Sequence, residues 1–118
     1  MRSNKPIAIV TGGAGFIGSH MVDLLLEREF SVRVIDSMVG GRFDNISHHD
    51  SNCDLSIEER DIRSYKPGDP FFRDSKYVFH FAGIGDIVPS IESPVEYMSV
   101  NVQGTVHMLE CEIGRAHV

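Results

Sequence analysis

Two stretches of this 118-residue chain carry residue types whose spacing could do chemistry. The first is Thr11–His20, TGGAGFIGSH, with four glycines in seven positions. Gly13, Gly15 and Gly18 spell G-x-G-x-x-G; Gly12, Gly15 and Gly18 spell G-x-x-G-x-x-G. The second is Asp36, 18 positions after Gly18, at the end of the run SVRVID. Glycines let a backbone turn tightly and let an anion approach. Free N–H groups and the positive end of a following helix then face that anion. A carboxylate at the end of the next strand can accept from both ribose hydroxyls of an adenosine and would repel a 2′-phosphate. The pair therefore reads as a dinucleotide site favouring NAD over NADP. The plainer alternative is a tight turn, with Asp36 only closing a strand.

Other reactive residue types point to less. His48 and His49 lie in the polar stretch SHHDSN and read as a solvated loop, because metal sites need convergent ligands rather than adjacent ones. No metal site is expected. His80 sits inside the apolar run YVFHFA and reads as a strand residue with a satisfied ring rather than a catalyst. Cys53 and Cys111 are far apart and form no metal or redox motif, as in a reduced, cytoplasmic protein.

The elements that must position these residues alternate. IAIV (Ile7–Val10) is a continuous apolar run, as in a strand buried on both faces. Ile17, Met21, Leu24, Leu25 and Arg28 follow at helical spacing. Ser31–Asp36 is a second strand, followed by a long polar connection with one helical turn near Phe43–Ile46. Leu55–Asp61 is a weaker third strand, and Pro67, Gly68 and Pro70 prevent a long helix after it. Tyr77–Ala82 is a fourth strand. Ser93-Pro94-Val95-Glu96 spells a capping box with proline in the first helical position. The helix it opens runs from Pro94 to about Glu112, with Tyr97, Asn101, Thr105 and Met108 on one stripe. Strand–helix alternation predicts an α/β fold: a parallel sheet with helices on both faces. The length allows one domain. Net charge is −6, against a nucleic acid or anionic membrane partner. No apolar run approaches the ~20 residues that cross a bilayer.

The stretch TGGAGFIGSHMVDLLLE resembles the cofactor loop of the extended short-chain dehydrogenase/reductase family. More narrowly it resembles the NAD-dependent epimerase/dehydratase branch, UDP-glucose 4-epimerase-like enzymes of nucleotide sugars. The family's T-G-x-x-G-x-x-G register implies that Gly12, Gly15 and Gly18 are the motif glycines and Gly13 a bystander. Phe16 and Ile17 are then implied to offer backbone N–H groups to the pyrophosphate of NAD in a Rossmann-type sheet. IDSMVGGRFDNI is similar to the segment that surrounds the adenosine, matching at Asp36, Gly41, Arg42 and Asn45; Ser37 stands where many members carry Asn. RDIRS resembles the family's Asp-Ile/Leu-Arg signature, which implies that Asp61 accepts from the adenine amino group and Ile62 touches the ring. HFAG resembles the end of the fourth strand, placing Phe81, Ala82 and Gly83 beside the cofactor. SIESPVEYMSVNVQGT matches at Ser90, Pro94, Asn101, Gly104 and Thr105, with Asn101 implied to lie near the cofactor. Gly85 replaces a lysine common in sugar 4-epimerases, which favours dehydratase, decarboxylase or other epimerase chemistry.

The resemblance implies hydride transfer to and from a sugar carbon through a keto-sugar, in an intact enzyme that is a homodimer. That chemistry uses a Tyr-x-x-x-Lys pair. Tyr65, Tyr77 and Tyr97 are followed four residues on by Asp69, Phe81 and Asn101, so no catalytic residue is assigned here. Residues 1–112 read as the N-terminal part of the NAD-binding domain, truncated after about four strands and without the substrate-binding region. Residues 113–118 read as a non-native read-through tail, since Ile-Gly-Arg-Ala-His-Val is what one frame of a common sequencing adapter encodes. A natural helix end, with Gly114 at the C-cap, is the other reading. Two rival functions share the fold: a non-catalytic NAD(P) sensor or scaffold, and a dehydrogenase/reductase of the same family on a non-sugar substrate.

Overall fold

In the computed structural model, residues 5–83 and 91–116 are described, residues 112–116 by backbone alone. Strand β1 (Ile7–Thr11) leads through the glycine loop into helix α1 (Phe16–Glu27), and β2 (Ser31–Asp36) follows. Two short 3-10 turns, Phe43–Asn45 and Ser47–His49, carry the connection to β3 (Leu55–Glu59). Two more, Ile62–Ser64 and Pro70–Phe72, lead to β4 (Ser75–His80). The described sheet is parallel throughout, in the order β3-β2-β1-β4. β4 therefore forms one edge.

Side-chain alternation divides the core in two. Ala8, Val10, Val32 and Val34 face α1 and pack with Val22, Leu25 and Ile46. Ile9 and Ile35 face the other way, onto Ile62, Tyr65, Phe72, Met108 and Cys111. The central strands are thus covered on both sides, which is why they read as unbroken apolar runs. Burial pushes the Cys111 thiol up to about 11, so it behaves as a small apolar group. No helix of the described residues is long and apolar enough to cross a membrane.

The expected elements form, with differences in extent and in capping. The third strand ends at Glu59 rather than Asp61, because Asp61 caps the Ile62–Ser64 turn, and the last helix runs past Glu112 and through Gly114 to Ala116, so Gly114 is not its C-cap. The fourth strand is Ser75–His80 rather than Tyr77–Ala82, because the Ala82 N–H turns onto the Thr11 hydroxyl instead of extending the ladder. His80 accordingly ends the strand rather than lying inside it. The last helix is not uniform: α2 (Pro94–Met98) passes through a π turn at Ser99–Gln103 into α3 (Gly104–Ala116). Thr105 Oγ1 donates to the Asn101 carbonyl at 2.7 Å within that widened turn. Tyr97, Asn101, Thr105 and Met108 nevertheless share its inward face. The capping box does not close: Ser93 makes no side-chain cap, and Glu96 pairs with Arg63 at 2.9 Å. A charged partner on another element outcompetes a neutral backbone donor. Gly85 and Ser90 lie outside the described residues, as do His117 and Val118.

Candidate functional site: an anion cradle at the carboxyl ends of the strands

The glycine loop is fixed by contacts that leave no room for side chains. Gly12 has φ +69°, and its N–H donates to the Ile35 carbonyl at 2.7 Å. A Cβ there would sit 2.8 Å from the Ala82 nitrogen and the Phe81 carbonyl carbon. A Cβ on Gly18 would sit 2.1 Å from the Gly12 oxygen, and one on Gly15 would sit 3.3 Å from the same atom. The three motif glycines thus pack the turn against the helix and against the end of β4. Gly13 is constrained too, by packing: a Cβ there would meet Val34 Cγ1 at 2.7 Å in the α1-side core.

Helix α1 opens at Gly15 with no side-chain cap and no acidic residue in its first turn. Its first N–H groups, Phe16 and Ile17 included, have no partner within the helix, and the macrodipole adds positive potential there. The Phe16 and Ile17 side chains are 78% and 65% exposed, so only their backbone belongs to the cradle. A bare helix start beside closely packed glycines fits a diphosphate.

Asp36 lies at the end of β2 and is buried. Its Oδ2 accepts from the Ala14 N–H at 2.9 Å and its Oδ1 from the Met38 N–H at 2.7 Å. A carboxylate offers about four acceptor positions, so two backbone donors leave capacity for a pair of hydroxyls. Gly41 lies directly on this carboxylate; a Cβ there would be 2.8 Å from both oxygens. The Ala14 carbonyl accepts from the Arg42 N–H at 3.0 Å and from Asn45 Nδ2 at 2.7 Å. Arg42 and Asn45 therefore tie the 41–45 loop to the glycine loop. Ser37 follows Asp36 and is exposed.

Asp61 and Ile62 both make contacts within the fold, and these leave part of the Asp61 carboxylate, 39% exposed, open to solvent. Asp61 Oδ1 accepts from the backbone N–H and Nε of Arg63, and Oδ2 accepts from Nη2. The Arg63 guanidinium holds the Asp61 carboxyl below the usual carboxylate range, against the opposing effect of partial burial. Arg63 also binds Ser99 and Glu96, lashing this turn to the last helix. Ile62 is buried against Gly104, where a Cβ would meet its Cδ1 at 2.5 Å. Its side chain thus seats the π turn. Gly83 lies beside Asn101, with Oδ1 at 3.0 Å from a Cβ placed there.

Local sequence gave no sign of the hub at Thr11. This fully buried hydroxyl receives the Phe81 and Ala82 N–H groups at 3.0 and 3.1 Å and meets His80 Nδ1 at 2.6 Å. His80 Nε2 meets Thr105 Oγ1 at 2.9 Å. The proton count fixes the directions. Thr105 gives its single hydrogen to the Asn101 carbonyl, so it accepts from Nε2–H, and Thr11 donates to Nδ1. His80 is thereby a neutral Nε2–H imidazole, as expected for a satisfied strand residue. Burial holds its pKa below the ordinary 6.5.

That depression sets a pH dependence. Below pH 6.5 the unfolded chain takes up a proton at His80 that the folded chain resists, so stability is full above that pH and declines beneath it. Asp61 adds a second loss below 3.8, where its native pairing with Arg63 is protonated away. Urea midpoints should fall between pH 7.5 and 5 in the wild type and change less in His80→Gln. A flat wild-type profile contradicts the assignment.

Comparison with known proteins agrees with this geometry. The sequence pattern of the GDP-mannose 4,6 dehydratase family matches residues 9–116. UDP-glucuronic acid decarboxylase 2 of Arabidopsis thaliana is 37% identical over 101 residues, covering 86% of this chain and 22% of that protein. A putative UDP-glucose 4-epimerase of Methanocaldococcus jannaschii is 36% identical over 102 residues, covering 86% and 32%. Among solved structures, DesIV, a dTDP-glucose 4,6-dehydratase from Streptomyces venezuelae with NAD bound, superposes with a TM-score of 0.83 at 32% identity, over 93% of this chain and 36% of that one. The chain thus spans a third or less of the length of these curated relatives. With a Rossmann-type sheet, the T-G-x-x-G-x-x-G loop in its close-packed form and these relatives in agreement, the chain belongs to the NAD-dependent epimerase/dehydratase branch of the extended short-chain dehydrogenase/reductase family.

Proposed function

We propose that this chain holds NAD and is the cofactor-binding part of an enzyme that acts on a nucleotide sugar. The observation that carries this reading is the uncapped start of α1 set against Asp36, so that diphosphate and ribose acceptors lie on one loop. Gly12, Gly15, Gly18 and the Phe16 and Ile17 N–H groups would hold the pyrophosphate. Asp36, with Ser37 and Gly41 at its mouth, would hold the adenosine ribose. Asp61 and Ile62 would flank the base, and Phe81, Ala82, Gly83 and Asn101 would border the nicotinamide half. Bound NAD supplies a hydride acceptor and donor for a sugar carbon. The chain itself binds and orients; the Tyr-x-x-x-Lys pair is not in its sequence, so it turns no sugar over alone. Exposed Val95, Met98, Val102, Val106 and Leu109 form a stripe on the last helix, which supports pairing of the intact protein with a second copy.

Titration calorimetry tests the cofactor assignment. NAD should bind, and NADP at least about tenfold more weakly, because one carboxylate–phosphate contact near a surface is worth upwards of 1 kcal/mol. Asp36→Asn should weaken NAD and narrow the gap. Equal affinity for both cofactors, or an unchanged gap in Asp36→Asn, would remove Asp36 from its role.

A further inference from the structure

The loop expected to be merely solvated closes on α1. His48 Nε2 and His49 Nε2 converge on one atom, Asp23 Oδ1, at 2.9 and 2.6 Å. We propose that Asp23, His48 and His49 form a binding site for one divalent transition-metal cation of the zinc class, separate from the dinucleotide cradle. The three candidate ligand atoms lie within 4.8 Å of one another. A tetrahedral ion with bonds of about 2.0–2.1 Å needs ligands about 3.3 Å apart, so rearrangement of about 1 Å by the two rings admits it. Two imidazoles and one carboxylate suit zinc, copper or nickel; calcium and magnesium prefer an all-oxygen set.

Adjacent histidines converge here because they ride on a 3-10 turn whose direction is fixed from below. Ile46, just ahead of the Ser47–His49 turn, is buried in the α1-side core. The two rings lie 4.0 Å apart, centroid to centroid. His49 is anchored, with its side chain 17% exposed, while His48 and Asp23 at 53% and 42% leave an entry from solvent. Three protein ligands leave a fourth position for water. Ligation would cross-link positions 25 and 26 residues apart, pinning α1 to the connection after β2.

The test uses the 118-residue chain without a polyhistidine tag, titrated with Zn²⁺ against a chromogenic chelator. The expected result is one ion per chain at a dissociation constant of about 10 µM or tighter. Asp23→Asn, His48→Gln and His49→Gln should each weaken binding at least about tenfold. His20→Gln, an exposed histidine outside the cluster, should leave it unchanged. Zinc should also raise the melting temperature of the wild type and not of His48→Gln/His49→Gln, two loop changes whose folding circular dichroism verifies. No uptake at about 100 µM Zn²⁺, or wild-type affinity in that double variant, overturns the proposal. Neither outcome bears on NAD binding.

Discussion

Gly18→Ala should abolish dinucleotide binding and destabilise the chain by about 2–3 kcal/mol. Propensity alone predicts the opposite sign, since alanine is the better helix former by about 1 kcal/mol and Gly18 lies within α1. Overlap decides the matter. The new methyl would lie 2.1 Å from the Gly12 oxygen and 2.8 Å from its carbonyl carbon. The loop cannot give way cheaply, because Gly12 is pinned to Ile35 and packs on Phe81 and Ala82. Relief must come from unwinding the first turn of α1, the turn whose N–H groups make the cradle. NAD affinity should therefore drop at least about 100-fold, more than the stability loss alone requires. Gly40→Ala is the control, since nothing lies within 4 Å of a Cβ there. Urea unfolding and calorimetry read both effects. A Gly18→Ala chain with wild-type midpoint and affinity would show that the loop has slack this geometry denies.

His80→Leu should cost about 2–4 kcal/mol, although leucine fills the space and suits an apolar strand. The loss comes from the partners left behind. Thr11, wholly buried, loses the acceptor of its hydroxyl hydrogen, and Thr105 loses a donor. A stranded buried group such as Thr11 costs about 1–3 kcal/mol and the half-buried Thr105 adds less, whereas removing both ends of such a contact can be nearly neutral. Thr11→Val with His80→Leu should thus be less destabilising than the two single changes summed, by about 0.5 kcal/mol or more. Strict additivity in that cycle would mean that Thr11 and His80 do not act as one chain. His80→Gln, which keeps a donor and an acceptor, should recover part of the loss.

Much of the scaffold was legible because burial on both faces leaves a mark in composition. IAIV and SVRVID are apolar where the two cores of the sheet meet them, and β1 and β2 form where those runs lie. Asp36 was legible from spacing, since a βα unit puts the end of the next strand beside the loop. What was hidden depends on contacts between distant residues. Thr11 and His80 are 69 residues apart, and neither neighbourhood hints that one hydroxyl serves three groups. Glu96 sits where a capping box wants it, yet Arg63, 33 residues away, takes it. Gly13 fits a variable motif position, but Val34 packs where its side chain would go. His48 and His49 look merely adjacent until α1 brings Asp23 beneath them.

The π turn at Ser99–Gln103 sets the phase of everything after it. An α-helix advances about 100° per residue, and a π turn accommodates one residue more than an α-helical turn would. Deleting a single residue there would restore regular winding and keep Met108 and Cys111 on the core face they now fill, whereas regular winding at unchanged length would swing them by about 100° away from it. The widened turn thus takes up one extra residue without rotating the packed side of the helix relative to the cofactor side. In a lineage of such chains, a one-residue gap within these five residues should keep the core face in register, whereas a one-residue gap in α3 should not.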